Sequence, residues 1–345
     1  MTRRIGFCVL ITLLLFSVMS LVAAQDEPVA SNLNNPRHIA FDTDGTLYIA
    51  EAGQGGDSAG KGPYGAVKYG ETGQISALTT DGEQAVIIPN LISMDAAGEI
   101  EGVTSVLPTA DSLWATLGMG LTEGLKAGQH VSAVVQYDKT SGDIKQVIDL
   151  GAFETQNNPD KGSELVSNPA ALAFDKEGKL YIADASGNDI LTWTEKDGLQ
   201  VFAVWSAEQG TTQSVPTSLA ISPDGDIYVG FLGGFPYDSN SARIEVLGAD
   251  GKLKKTYSKL NFVTDILLAT DGTLYAVQLS DAYGDLGFNP DAGSVVKVTD
   301  SGTEVVVDKL SSPYGIAQSK DGQLFVSTNA LGATDTGSVI IVGGA

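Results

Sequence analysis

Two histidines and a scattering of carboxylates are the raw material for chemistry in this chain. His38, Glu51, Asp184 and Asp265 fall at positions that are small or apolar in the corresponding parts of a repeat described below, with Arg37 and Glu101 adjacent. A histidine with three carboxylates suits a divalent cation, calcium or another, or an acid/base set. Glu51, Asp184 and Asp265 are the expected metal ligands. Arg37, His38, Glu51, Glu101, Asp184, Ser218, Asp265 and Gln278 are the wider set expected to line a ligand site. The competing expectation is that these groups pair with Arg37, main-chain amides and channel water.

Other signals carry less. Asp42 to Gly45 opens like a calcium loop but lacks a glutamate at the twelfth position, so a tight turn is expected. His130 stands alone at the mouth of a strand and is expected to be an exposed loop residue. The glycine-rich run from Gly53 to Gly62 lacks both the strand-to-helix setting and the Gly-Lys-Ser/Thr ending of a phosphate loop, which excludes nucleotide binding. No Gly-x-Ser-x-Gly elbow is present, so a Ser-His-Asp triad would have to use His38 or His130. Cys8 is the only cysteine, which leaves disulfides, thiol catalysis and cysteine-bound metals without material.

The elements that must position these residues come from an internal repeat. NPRHIAFDTDGTLYIAEA, Asn35 to Ala52, reads as a short apolar strand, an Asp-Gly turn and an alternating second strand. Versions return at Asn168, Val215, Phe262 and Ser312, with a degenerate copy from Glu101. Aligned, they place Leu47, Leu113, Leu180, Ile227, Leu274 and Leu324 in one column and Tyr48, Trp114, Tyr181, Tyr228, Tyr275 and Phe325 in the next. An aromatic at one place in every copy is a packing layer. Each copy is followed by a second strand pair, except that the last stops at GSVIIV, Gly337 to Val342. The residues from Glu27 to Pro36 align with Glu304 to Pro313 and supply the missing strand. The expected fold is an all-β, six-bladed β-propeller of four-stranded blades, closed by the N-terminal strand pairing with the C-terminal blade. It occupies residues 25–345 as a single domain.

Turns within the strand pairs are short, whereas the opposite face receives long connections. These start at Glu51, Thr116, Gly230 and Gln278, joined by Pro89 to Gly102 and Gly151 to Pro169. Such loops on a rigid scaffold are the usual place for binding.

Residues 1–24 have the layout of a signal peptide: Arg3 and Arg4, an apolar stretch from Ile5 to Val22, then Ala23 and Ala24. A secreted or periplasmic protein is expected, touching the membrane only transiently through that segment, with retention as an anchor the competing outcome. Forty-two acidic against 20 basic residues give a net charge of −22, and no Lys/Arg cluster exists to bind a phosphate backbone, so nucleic acid is excluded as a partner. Charge of this size keeps a protein soluble through self-repulsion.

The unit from Asn168 resembles the NHL repeat. Leu33 to Asp57, TLGMG from Thr116, NNPD from Asn157, Ser214 to Pro236 and Phe262 to Val277 together resemble the ScyD/ScyE proteins, named for a cyanobacterial scytonemin gene cluster. The resemblance spans essentially the whole chain after the leader and implies an exported NHL-like propeller, without a catalytic set to carry over. Many members have cysteines in the first long loop; Gly53 to Gly73 has none here. The function expected is a binding or accessory protein that takes a small molecule or an exported protein on its long-loop face. The alternatives are a divalent-cation-dependent hydrolase or lactonase of the gluconolactonase type and, more remotely, a quinone-dependent dehydrogenase.

Overall fold

The computed structural model describes residues 27–206 and 212–344; the leader expected at residues 1–24 lies outside them. Among the described residues the chain forms five four-stranded antiparallel sheets, one larger sheet, a two-stranded ribbon and one helix, Leu150–Asn157. Every unit of the repeat becomes one sheet. Pro169–Phe174, Leu180–Asp184, Asp189–Thr194 and Gly198–Val204 follow one another as neighbours, and the units from Pro216 and Val263 do the same.

Alternation along each second strand explains the core. The leucine/isoleucine column is buried in all six units, Leu47, Leu113 and Leu180 to within 1% exposure. Each aromatic of the adjacent column joins an apolar cluster between its own sheet and the next. Tyr48 lies with Val106 and Leu113, Trp114 with Leu172 and Leu180, and Tyr181 with Leu219 and Ile227. Trp114 meets Phe174 edge to face at 5.6 Å, the geometry that the ring quadrupole favours. Turn chemistry agrees as well: Gly45 N–H donates to Asp42 O at 3.1 Å with Gly45 at φ +94°, so Asp42 to Gly45 is the tight turn expected.

The last sheet takes its outer strand from the other end of the chain. Ala30–Leu33 pairs antiparallel with Gly337–Gly344, with Ala30 opposite Val339 and Leu33 opposite Gly337. Ala30, Leu33 and Val339 are then buried with Ile39, Leu47 and Ile49 of the first sheet. The first strand of each sheet packs on the first strand of the next, and Ile316–Gln318 packs on both Val263–Leu268 and Pro36–Phe41. A Cβ at Gly315 would stand 2.6 Å from Arg37 O and 2.7 Å from His38 Cα, so only glycine permits this approach.

The long connections are more ordered than the sequence suggests. Ser58–Gly62 and Gly65–Leu78 form a hairpin that continues the first sheet outward, and Gln84–Ala96 with Glu99–Glu101 zips on beside it. Glycine permits that path: a Cβ at Gly56 would lie 2.5 Å from Tyr69 O. The connection from Gly151 contributes most of the helix Leu150–Asn157, whose Asp149 cap accepts from Ala152 N–H at 2.8 Å. His130, expected to be exposed, is half-buried.

Candidate functional site

The side chains singled out in the sequence separate into two groups. Glu51, Asp184 and Gln278 end the second strands of three different sheets and do the same structural work in each. Glu51 Oε2 accepts from Asn34 N–H at 2.7 Å, Asp184 Oδ1 from Asn168 N–H at 2.7 Å and Gln278 Oε1 from Asn261 N–H at 2.8 Å. Each therefore tethers the backbone just before its own sheet's first strand. Further donors fill their remaining capacity: Gln74 and Ser76 on Glu51, Gly187 N–H and Ser167 on Asp184, while the Gln278 amide donates to Ser294. Glu51 and Asp184 are wholly buried, and desolvation raises both carboxyls against the pull of these hydrogen bonds.

The expected convergence of Glu51, Asp184 and Asp265 on one ion is not what the fold builds. Among the described residues no three His, Cys, Asp or Glu side chains form a group able to hold a metal. The reason is directional, since Glu51 and Asp184 turn to their own preceding loops.

Arg37, His38, Glu101 and Asp265 do gather, around a residue the sequence pattern did not single out, Tyr314. The Arg37 guanidinium lies 4.5 Å from the Tyr314 ring centroid and donates to Ile100 O at 2.8 Å. The His38 ring is 5.4 Å from the same tyrosine, and its Nε2 is 3.0 Å from Thr264 O, which makes that nitrogen the donor. Asp265 accepts from Ile266 N–H at 2.8 Å and Ile316 N–H at 2.9 Å; burial raises its carboxyl, opposed by His38 and these two amides. Tyr314 occupies the same register as Arg37 one unit away, and that alignment was the signal for it.

Hydroxyls lace neighbouring sheets together near this cluster. Thr217 donates to Val263 O at 2.7 Å, Thr264 to Tyr314 O at 2.8 Å and Ser327 to Arg37 O at 2.7 Å. Ser218 Oγ is buried without a partner, against Gly230, whose missing side chain leaves it room. These groups serve assembly of the strands, and no nucleophile with an adjacent base is among them.

Above Arg37 the long connections meet. Glu101 is partly buried; desolvation pushes its carboxyl up to about 7 despite the nearby Arg37, with Glu99 adding to the rise and Asn168 opposing it. Burial, and after it the charges of Glu99, Tyr283 and Glu101, raise the hydroxyl of Tyr237, from the loop after Phe231. It joins Phe235, Tyr283 and Phe288 in a chain of ring contacts, Tyr237 to Tyr283 at 4.9 Å and Tyr283 to Phe288 at 4.9 Å. Phe235 is 74% exposed and Leu286 fully so.

Beside this rim lies a cleft of about 580 Å³ between the Ser58–Leu78 hairpin, the 118–132 loop and the helix with its following loop. Tyr64, Leu121, Leu125, Leu165 and Val166 supply its apolar wall, and Asp149 and Glu164 are the only charged residues lining it. Tyr64, Leu125 and Leu165 are exposed. Desolvation, then the Glu164 charge, push the Tyr64 hydroxyl up to about 12. None of the residues singled out in the sequence lines this cleft.

No family model matches the chain, and no curated protein does. Solved structures similar to it include an oxidoreductase assigned as a glucose dehydrogenase from Thermus thermophilus, with 15% identity, a TM-score of 0.57, and coverage of 91% of this chain and 98% of that one. A protein assigned as a gluconolactonase has 12% identity, a TM-score of 0.55 and 93% of each chain covered. A streptogramin B lyase has 14% identity, a TM-score of 0.50, and 91% and 97% covered. These are β-propeller proteins, and at such identities the likeness speaks for the fold alone: the chain has a β-propeller fold.

Proposed function

We propose that the chain is an exported six-bladed β-propeller of the ScyD/ScyE type, closed by its N-terminal strand, that binds a small molecule on its long-loop face. Six sheets joined through six inter-sheet apolar clusters, one of them containing Ala30 and Leu33, support the blade count and the closure. The layout of residues 1–24 supports export. Binding without catalysis rests on one contrast. Arg37, His38, Glu51, Asp184 and Asp265 each make a main-chain hydrogen bond, whereas large apolar side chains stand in solvent around the cleft.

A cleft of about 580 Å³ is the size that small-molecule sites usually have. Its lining selects the ligand class. With Asp149 and Glu164 as the only charges, and 42 acidic residues in the chain, an anionic ligand is repelled, and a neutral or cationic molecule with an apolar body fits.

Fluorescence titration with the neutral dye Nile red tests this directly. The wild-type protein should bind it saturably at one site, and Leu165→Lys should weaken binding about tenfold, since a charged end would displace apolar contact worth on the order of 1.4 kcal/mol. Absence of saturable binding, or equal affinity in the variant, defeats the assignment of this cleft.

A further inference from the structure

A second feature, independent of the ligand cleft, lies behind the helix Leu150–Asn157. Four acidic side chains are buried near one another there: Glu154, Asp160, Asp184 and Asp189, each 2% exposed or less. Two of them are spent on the architecture. Asp160 accepts from Gly162 N–H at 2.8 Å and the Asn188 amide at 2.9 Å, and Asp184 tethers the loop before Pro169 as described.

The other two are not. Both oxygens of Asp189 and Oε1 of Glu154 are buried with no hydrogen-bond partner, and so is Oδ1 of Asn158. Asn158 is the left-handed cap that ends the helix, and its N–H donates to Glu154 O at 2.8 Å, which holds the two residues next to each other. No lysine or arginine forms an ion pair with any of the four acids among the described residues. Desolvation, followed by the charges of Asp184, Glu154 and Asp160, drives the Asp189 carboxyl up to about 10. Unpartnered acceptor oxygens, buried around a surplus of negative charge, are what a protein otherwise avoids.

We propose that Glu154 and Asp189 hold a hard divalent cation, calcium by preference, between the helix and the Asp189–Thr194 strand. Since no three acidic, histidine or cysteine side chains group around one point among the described residues, the remaining ligands are neutral oxygens: Asn158 Oδ1, main-chain carbonyls and water. An all-oxygen set with no histidine or cysteine selects calcium over zinc, and calcium's six to eight flexible ligands suit so mixed a shell better than magnesium's strict octahedron. The ion would pin the helix, and with it one wall of the ligand cleft, to the third sheet.

Thermal unfolding of EDTA-treated, dialysed protein at pH 7.5 with and without 1 mM CaCl2 tests the site. Calcium should raise the wild-type melting temperature by several degrees, because it binds the folded state only. The shift should vanish in Asp189→Asn and survive in Glu51→Gln, whose carboxylate is fully partnered. Should Asp189→Asn fail to fold, calorimetric titration of the wild type must still give one calcium per chain. A wild type indifferent to calcium, or an equal shift in Asp189→Asn, overturns the proposal; the first result assigns the cluster to bound protons. Nile red binding by the calcium-free protein is read separately, so failure here leaves the ligand cleft standing or falling on its own titration.

Discussion

Replacing Glu101 by glutamine should make the protein more stable at alkaline pH and leave it unchanged in acid. In the unfolded chain this carboxyl ionises near its ordinary value of 4.5; in the fold, desolvation and Glu99 hold it near 7 against the pull of Arg37 and Asn168. Between those two pH values the folded protein keeps a proton that the unfolded chain has released, so the group's contribution to stability falls as pH rises through the interval and is constant above it. The displacement corresponds to about 3 kcal/mol. Glutamine carries no charge at any pH, which removes the fall. Urea unfolding of both proteins at pH 4 and pH 8.5 provides the measurement: equal stability at the lower pH, and a variant more stable by up to about 3 kcal/mol at the higher. Taking the difference between the two proteins cancels the slopes of every other titrating group. Parallel profiles, or a variant weaker at pH 8.5, would show that Glu101 is ionised at little cost and that the mouth above Arg37 is wetter than its packing implies.

Three further substitutions probe how the sheets are joined. Gly315→Ala drives a methyl to 2.6 Å from Arg37 O and should cost about 1–3 kcal/mol, read from the denaturant midpoint; an unchanged midpoint would deny the close approach of the last sheet to the first. Leu33→Ala empties a 1%-exposed site beside Ile39, Leu47 and Val339 and should cost about 2–5 kcal/mol, with a loss near zero marking the N-terminal strand as detachable. Thr264→Val removes the hydroxyl that reaches Tyr314 O and should lower stability by about 1–2 kcal/mol. A fully tolerated valine there would mean that the strands hold by packing alone.

The repeat was legible because successive side chains of a strand face opposite sides, and with both sides covered by a neighbouring sheet the same two positions must be filled in every unit. Leu47 and Tyr48 recur as Leu180 and Tyr181 for that reason, and Leu33 could be matched to Leu310 across the whole chain. Site geometry was less legible. Glu51, Asp184 and Gln278 share a column with apolar residues, and composition cannot say whether a carboxylate at a strand end faces its neighbours or folds back on its own loop. Here the free N–H groups of Asn34 and Asn168 decided it, and those depend on loop paths that no pattern encodes. The hairpin from Ser58 was hidden because its glycines look like those of an irregular loop, whereas they are there to let two backbones pass closely. Glu154 and Asp189 gave no signal at all: they are 35 positions apart in sequence, and only the folded chain brings one within reach of the other's charge.

Pairing Ala30–Leu33 with Gly337–Gly344 has a consequence for the order of events in folding. The two partners lie roughly 300 residues apart in sequence, and closing so long a loop is slow compared with the hairpin contacts within each sheet. Until the strand Gly337–Gly344 has been made, that segment has no edge to pair with and stays available to whatever machinery handles the nascent polypeptide.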